Sequence, residues 1–442
     1  MLKACSGKRL WKDMRSIALY IPLLLILTLS GPALALPGTL DNSFSNDGMI
    51  HHLMGSNNTP REGSAQAVAI QTDGKIVTAG GDTAGNMQRF ALSRYKLNGN
   101  LDQTFGGDGK VHTAFNSDSA ATSVAIQANG KIVAAGWKAI GGGYTQFALA
   151  RYNSNGQLDP SFDVDGRVTT PIGGGSIANS VAIDPLSQKI VAAGAAVVQG
   201  NDGFALARYD TVGGLDSTFD NDGKVHTPIH NFAVANSIAI ETGGKIVAVG
   251  GASTNTTNEV FVFARYDAIG GLDNSFSSGG GIVIVPFGST SIAEARSVAI
   301  QGDGMVVAAG YSGYGSGRRF ALVRYDPTVG TLDSNFDNDG RVTTKMGAYA
   351  YASSVAIQTD GEIVAAGGGI KNNKGFFRVA RYEPIAGALD TSFDNDGKVK
   401  TLIGNTAEAW ALAIQPTGGN LVVAGLALVG TQYHFAAARY DD

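Results

Sequence analysis

The chain has 442 residues, with 33 Lys+Arg against 37 Asp+Glu for a formal net charge of −4, and 16% of its residues are charged. An acidic balance argues against nucleic acid or an anionic membrane surface as the partner. A single cysteine excludes both an intrachain disulfide framework and a cysteine-ligated metal site.

Residues 1–35 read as a secretory signal peptide. Lys3, Lys8, Arg9, Lys12 and Arg15 precede an apolar run from Ile17 to Leu29, and Ala33-Leu-Ala35 supplies the small residues that a signal peptidase needs. The run of 13 residues is short against the about 20 of a membrane-spanning helix, so cleavage after Ala35 is expected. Cys5 leaves with the signal. So do five basic residues and Asp13, which moves the net charge from −4 to −8. With no second hydrophobic span, the mature chain is expected to be exported, whether periplasmic, secreted or attached to the cell surface, without stable insertion in a membrane.

Residues 36–442 are one repeat array and are expected to form a single domain. Leu40-Asp-Asn-Ser-Phe44 opens it, and a Leu-Asp pair then recurs with Asp41, Asp102, Asp159, Asp216, Asp273, Asp333 and Asp390. An Arg-Tyr pair recurs with Arg94, Arg151, Arg208, Arg265, Arg324, Arg381 and Arg439. The steps are 57 to 61 residues, the range of stacked supersecondary units.

The second unit shows what one repeat is. Ala121–Gln127 is an apolar run of strand length, Ala128-Asn-Gly130 is a turn, and Lys131–Gly136 is a second run. A ten-residue loop leads to Phe147-Ala-Leu-Ala-Arg-Tyr152, a turn ending in Gly156, and Leu158–Phe162. These are four antiparallel strands, A to D. The units are read as 65–105, 121–162, 178–219, 235–276, 295–336, 352–393 and 409–440. Strand A opens on a recurrent alanine (Ala65, Ala121, Ala178, Ala235, Ala295, Ala352, Ala409), as strands crowded near an axis require. The expected fold is all-β: a seven-bladed β-propeller with four antiparallel strands per blade. Its ring is closed by the N-terminal strand D, placed at 40–44, which joins the C-terminal blade and leaves no unpaired edge.

Counting across the C–D turn, with Gly99 or Gly213 in the left-handed position, sets Arg94 against Asp102, Arg151 against Asp159, Arg208 against Asp216, Arg265 against Asp273, Arg324 against Asp333 and Arg381 against Asp390. Across the closure, Arg439 is expected to meet Asp41. These pairs read as structural, because a partly buried charge left alone costs about 3–5 kcal/mol.

The segments Ser123-Val-Ala-Ile-Gln127, Lys131-Ile-Val-Ala-Ala-Gly136, Phe147-Ala-Leu-Ala-Arg-Tyr152 and Leu158-Asp-Pro-Ser-Phe-Asp-Val-Asp-Gly166 closely resemble the bacterial delta-60 repeat. The resemblance spans Leu40 to Tyr440 and implies an exported or surface protein with an NHL-like propeller shape; it implies no particular activity. Ser277-Ser-Gly-Gly-Gly281 and Asp184-Pro-Leu-Ser-Gln-Lys189 depart from the pattern locally.

In an up-and-down blade the short, repetitive A–B and C–D turns share one face, and the variable B–C and D–A loops share the other. The B–C loops Gly81–Arg89, Trp137–Gln146, Gly251–Val260, Tyr311–Arg319 and Gly368–Phe376 have little in common, and variable loops on a rigid scaffold are where binding residues sit. Just after the recurrent alanine stand Gln66, Thr122, Asn179, Asn236, Arg296, Ser353 and Trp410, a mixed ring expected at the channel mouth and the candidate ligand-binding set. Solvated strand ends would look the same.

The Asp-x-Asp-Gly turns at Asp163/Asp165, Asp220/Asp222, Asp337/Asp339 and Asp394/Asp396, with partial copies at Asp47 and Asp108, have one side chain too few for a calcium loop, so no cofactor or metal is expected, calcium being the one to test. His51, His112 and His226 share a repeat phase but belong to different units, while His52, His230 and His434 stand alone. There is no Gly-x-Ser-x-Gly elbow, and Gly313-Tyr-Gly-Ser-Gly317 lacks the helix of a phosphate cradle. The expectation is a non-enzymatic recognition or scaffold module, with no catalytic residue assigned, whose unknown extracellular ligand is a glycan or a protein. The alternatives are a polymer-acting hydrolase or lyase at the channel mouth, for which Glu294, Arg296, Arg318, Arg319, Lys345 and Glu408 are the nearest charges, and a purely structural spacer.

Overall fold

In strand B of the second unit, Ile132, Val133, Ala134 and Ala135 are all fully buried, as are Phe147, Ala148, Leu149 and Ala150 of strand C. A strand buried on both faces needs cover on both, and side chains alternate sides with period two. Val133, Ala135, Phe147 and Leu149 accordingly pack against the next sheet. Ile132, Ala134, Ala148 and Ala150 pack against the preceding one. The same alternation around the molecule builds the core from seven inter-blade layers.

The computed structural model describes residues 36–55, 61–253, 259–277, 280–288 and 292–442, and these form seven sheets. The signal-peptide reading of residues 1–35 lies outside the described residues, as does part of the loop of residues 251–260. The A strands are Gly63–Ile70, Ser119–Ile126, Gly175–Ile183, Phe232–Ile240, Ala293–Ile300, Ala348–Ile357 and Thr406–Ile414. The B strands are Ile76–Ala84, Ile132–Gly141, Ile190–Val198, Ile246–Ser253, Val306–Ser312, Ile363–Lys371 and Leu421–Val429. The C strands are Met87–Tyr95, Tyr144–Tyr152, Asn201–Tyr209, Glu259–Tyr266, Arg319–Asp326, Lys374–Tyr382 and Gln432–Tyr440. Each sheet runs A-B-C-D, antiparallel throughout, and each strand A packs beside strand A of the next blade, the seventh beside the first. Strand A is therefore innermost. The chain is a seven-bladed β-propeller.

The outermost strand is not where the sequence reading placed it. Strand D is Lys110–Thr113, Arg167–Thr170, Lys224–Pro228, Ile282–Val285, Arg341–Thr344 and Lys398–Thr401 in blades one to six. For blade seven it is Met49–His52, paired with Gln432–Tyr440, instead of 40–44. The segment Leu40–Phe44 does join the same edge, through a bridge from Leu40 to Tyr440. In each blade the Leu-Asp pair makes the first ladder step, and the chain then leaves the sheet for one turn, mostly exposed but for its phenylalanine, before rejoining it. In blade one the N–H of Asp102 donates to Arg94 O, and Gly109 O accepts from the N–H of Arg94. Between them Phe105, fully buried, plugs the gap under the Arg94 guanidinium, 4.8 Å from the ring centroid. The apolar Leu and Phe made this excursion resemble a strand, while the true strand offers only one core residue, such as Val111 or Val168.

The B–C loops are also shorter than expected. Strands B and C run on as a hairpin to two-residue tips such as Gly142-Gly143, Gln199-Gly200 and Asn372-Asn373, whose positive φ angles match the left-handed conformation that tight hairpin turns require. What the sequence shows as Trp137–Gln146 is mostly paired strand.

A buried tyrosine pins each of the seven seams between blades, Tyr325 by donating to Phe276 O and the others through a side chain of the neighbouring blade. Tyr152 reaches Thr113 (2.7 Å), Tyr209 Thr170 (2.7 Å), Tyr266 Thr227 (2.8 Å), Tyr382 Thr344 (2.9 Å) and Tyr440 Thr401 (2.8 Å). At the closing seam Tyr95 meets His52 instead, at 2.6 Å.

Candidate ligand-binding site at the channel mouth

Each strand A breaks its register at one residue. The irregularities fall between Ala65/Ala67, Ala121/Ser123, Ala178/Ser180, Ala235/Ser237, Ala295/Ser297, Ala352/Ser354 and Ala409/Ala411. The skipped residues are the seven candidates Gln66, Thr122, Asn179, Asn236, Arg296, Ser353 and Trp410. A β-bulge turns its extra residue away from the ladder. It also brings the two backbones so close that strand B needs glycine opposite it: a Cβ on Gly250 would lie 1.8 Å from Val234 O.

Four of these side chains reach sideways to the next blade. Thr122 Oγ1 donates to Ala178 O (2.7 Å), Asn179 Nδ2 to Ala235 O (3.0 Å), Asn236 Nδ2 to Ala295 O (2.9 Å) and Ser353 Oγ to Ala409 O (3.2 Å). The acceptor is each time the recurrent alanine of the neighbouring strand A. Arg296 lies over the rings of Tyr351 (4.7 Å) and Tyr311 (5.2 Å), 3.7 Å from Glu294. Trp410 is half-buried and Gln66 lies 3.5 Å from Ser64 Oγ.

A cavity of about 770 Å³ opens on the variable-loop face, lined by blades six, seven, one and two. Of the seven candidates, Gln66 and Thr122 reach its wall and the other five do not. Aromatic side chains supply much of the remainder: Trp137 from blade two, Tyr349 and Tyr351 from blade six, Tyr433 from blade seven. Glu62 and Glu408 add carboxylates; Gln88 and Asn373 add amides. Tyr349 and Tyr433 are about half exposed (48% and 46%). Tyr349 has φ +51, a left-handed conformation unusual for a bulky residue, in a second register break between Ala348 and Tyr351 that no other described strand A has. Strain of this kind persists where the surroundings enforce it.

The four aromatics and two carboxylates interrupt the repeat. Tyr351 and Glu408 stand where blade two has Ala120 and blade three Ile177; Trp137 stands where blades one and six have glycine. A scan of the column before the recurrent alanine and of the residue after the strand-B glycine finds Tyr351, Glu408 and Trp137, and leaves out Tyr349, Tyr433 and Glu62. Two other charges of the mouth, Glu294 and Arg318, meet an amide and an aromatic ring. Asn236 Nδ2 donates to Glu294 Oε1 (2.7 Å), and Arg318 lies 4.1 Å over the Tyr311 ring. Burial and the Glu294 carboxylate push the Tyr311 hydroxyl above its ordinary range. Lys345 lines a different hollow.

All seven Arg–Asp pairs form, at 2.6–2.9 Å in six, with Arg324–Asp333 the seventh. The Asp accepts from a Ser or Thr two residues on in most blades, and the Arg also donates to the next blade's C–D turn, as Arg439 does to Leu97 O (2.6 Å) and Arg151 to Thr211 O (2.5 Å). The second Asp of each Asp-x-Asp-Gly turn caps the entry to strand D, as Asp165 Oδ1 does for the N–H of Arg167 (2.9 Å). His51 contacts His434 (3.3 Å), His112 contacts Asp82 (3.2 Å) and His226 contacts Ala196 O (3.2 Å), so the three phase-matched histidines go to three separate neighbourhoods. Among the described residues no cluster of three or more His, Cys, Asp or Glu is grouped to hold a metal ion.

A ring of seven sheets with one irregular cavity at its mouth defines the class: a β-propeller repeat protein. The family model described as "Domain of unknown function (DUF5122) beta-propeller" matches six segments, residues 71–105, 127–162, 189–219, 244–276, 301–336 and 358–393. No curated protein matches the chain. Solved structures similar to it include a protein of unknown function from Dyadobacter fermentans (12% identity, 89% of this chain and 99% of that one, TM-score 0.47) and the polysaccharide lyase Uly1 (10%, 85% and 90%, 0.47). Another is Sqt1 from Chaetomium thermophilum (11%, 86% and 97%, 0.46). No residue role or activity is carried over from them.

Proposed function

We propose that this chain is an exported, non-enzymatic binding module of the delta-60 repeat type, and that its ligand is a carbohydrate chain held across the channel mouth. The observation that carries the reading is the one-sided cavity of about 770 Å³, within the size range of small-molecule sites. Aromatic faces at Trp137, Tyr349 and Tyr433 are suited to stack on sugar rings, and Glu62, Glu408, Gln66 and Asn373 are suited to bind hydroxyls. A spacer has no use for exposed aromatic rings and a strained Tyr349 at one place on an otherwise repetitive surface. Export rests on the sequence of residues 1–35.

The test is a glycan and peptide array probed with residues 36–442. Trp137→Ala and Tyr349→Ala are expected to weaken glycan binding at least ten-fold, while Trp410→Ala, outside the cavity, leaves it unchanged. Binding that survives both cavity variants removes this site. Release of unsaturated or reducing ends from a bound polymer replaces the binding reading with the enzymatic one. N-terminal sequencing of the protein recovered from culture checks cleavage after Ala35.

A further inference from the structure

Strand C of blade six carries one substitution that the other blades do not make. At the position of Ala91, Ala148, Ala205, Val262, Ala321 and Ala436, all essentially inaccessible, stands Arg378, itself 7% exposed. Its Nε and Nη2 are buried and find no hydrogen-bond partner among the described residues. A guanidinium does not shed its charge in a protein, and a buried charge without a counter-ion is strongly unfavourable.

The surroundings add to the charge. Arg378 pairs across strand D with Lys400 and across strand B with Gly367, while Lys371 closes the same hairpin opposite Lys374. Strand alternation puts Lys371, Arg378, Lys398 and Lys400 on one face of the sheet, the face turned to blade five. The neighbouring Lys371 ammonium lowers the Lys400 pKa. These residues line a hollow of about 830 Å³, and Lys345, Asp394 and Asp396 line it too. Asp396 lies 3.4 Å from Lys398, so both charges of that pair are engaged.

Blade one shows what the place accommodates. There the position of Gly369 is Asp82, whose buried carboxylate takes bonds from Arg89 (3.0 and 3.1 Å) and faces His112 (3.2 Å), the counterpart of Lys400. Blade six has Phe376 at the Arg89 position, carries its guanidinium two residues further on at Arg378 with Lys400 opposite, and replaces the carboxylate by glycine. An added Cβ at Gly369 would come within 3.4 Å of Arg378 Cγ, and one at Gly347 within 3.0 Å of its Nη2, so the two glycines make room for the arginine.

We infer that the hollow beside Arg378, Lys371 and Lys400 binds a tetrahedral oxyanion, the phosphate or sulfate group of an anionic ligand. The inference does not depend on the carbohydrate reading, since Arg378 is absent from the mouth cavity.

The test is isothermal titration and thermal melting of residues 36–442 with inorganic phosphate, inorganic sulfate, glucose 6-phosphate and glucose 6-sulfate, each against sodium chloride at equal ionic strength. Saturable binding and an anion-dependent rise in Tm are expected. Arg378→Ala restores the residue of the other blades; it is expected to fold, to melt above the wild type without anion, and to bind the anion at least ten-fold more weakly. Lys400→Ala weakens binding without the gain in Tm. Esters that bind more tightly than the free ions assign the site to a group carried on a larger molecule, and equal affinities assign it to the free ion. No response beyond that to chloride, an undiminished response in Arg378→Ala, or a lower Tm for that variant without anion overturns the site.

Discussion

Two side chains couple the stability of the ring to pH in opposite directions. Glu362 stands at the entry to strand B of blade six, where Lys131, Lys189 and Lys245 of other blades hold the clamp aspartate at 2.7–2.8 Å. Burial, with Asp390 in front of it, pushes Glu362 up to about 7. A raised carboxyl pKa means its contribution is complete below the unfolded value near 4.5 and is lost as pH rises through about 7. Glu362→Lys is therefore expected to stabilise the protein at pH 8 by about 1 kcal/mol, the scale of one surface-charge correction, and to change it little at pH 5, read from urea midpoints. His52 works in the opposite direction. Its Nδ1–H donates to Leu53 O (3.0 Å), so Nε2 is the acceptor for the Tyr95 hydroxyl (2.6 Å). Protonation at Nε2 would break that bond, and burial lowers the pKa to about 4. Its stabilisation is present above about 6.5 and disappears as pH falls toward 4. In His52→Thr, which copies the other seams, the loss between pH 7 and 4.5 is expected to shrink; an equal loss in both proteins contradicts this account.

Among the elements, the C–D excursion joins blade to blade. Arg208 is 7% exposed, bound to Asp216 at 2.7 Å and 4.5 Å over the Phe219 ring. Arg208→Ala leaves a buried carboxylate and is expected to cost about 3–5 kcal/mol in urea denaturation. Lys189→Ala removes the more exposed cation from the same Asp216 and is expected to cost under about 1 kcal/mol. The Arg and Asp positions were legible in the sequence because both partners recur at a fixed separation. The excursion was not, since its buried Phe gives the hydrophobic signature of a strand while the true strand D has four or five residues. The bulge residues were visible as a variable column, but their acceptors are backbone carbonyls of the following blade, which no local pattern records. Tyr349 and Tyr433 escaped notice for the reverse reason, since they lie outside the aligned strand columns, whereas Trp137 and Tyr351 differ from aligned counterparts such as Gly81 and Ala120.

At the scale of the whole molecule, the period, the strand count and the unmatched ends sufficed to read a closed ring. The ends meet through Asp41 and Arg439, 398 residues apart in sequence and 2.7 Å apart in space, with the N–H of Asp441 donating to Thr39 O and the N–H of Gly38 donating to Asp441 O beside them. Deleting residues 36–52 uncovers the edge of Gln432–Tyr440, and an unpaired edge recruits other chains. The deleted protein is expected to self-associate in light scattering. A permutant that links residue 442 to residue 36 and opens in the tip at Gly142-Gly143 is expected to remain monomeric. The clasp also imposes an order of events. Met49–His52 must wait for Gln432–Tyr440 to be made, so every length of chain short of that strand is an open bracelet.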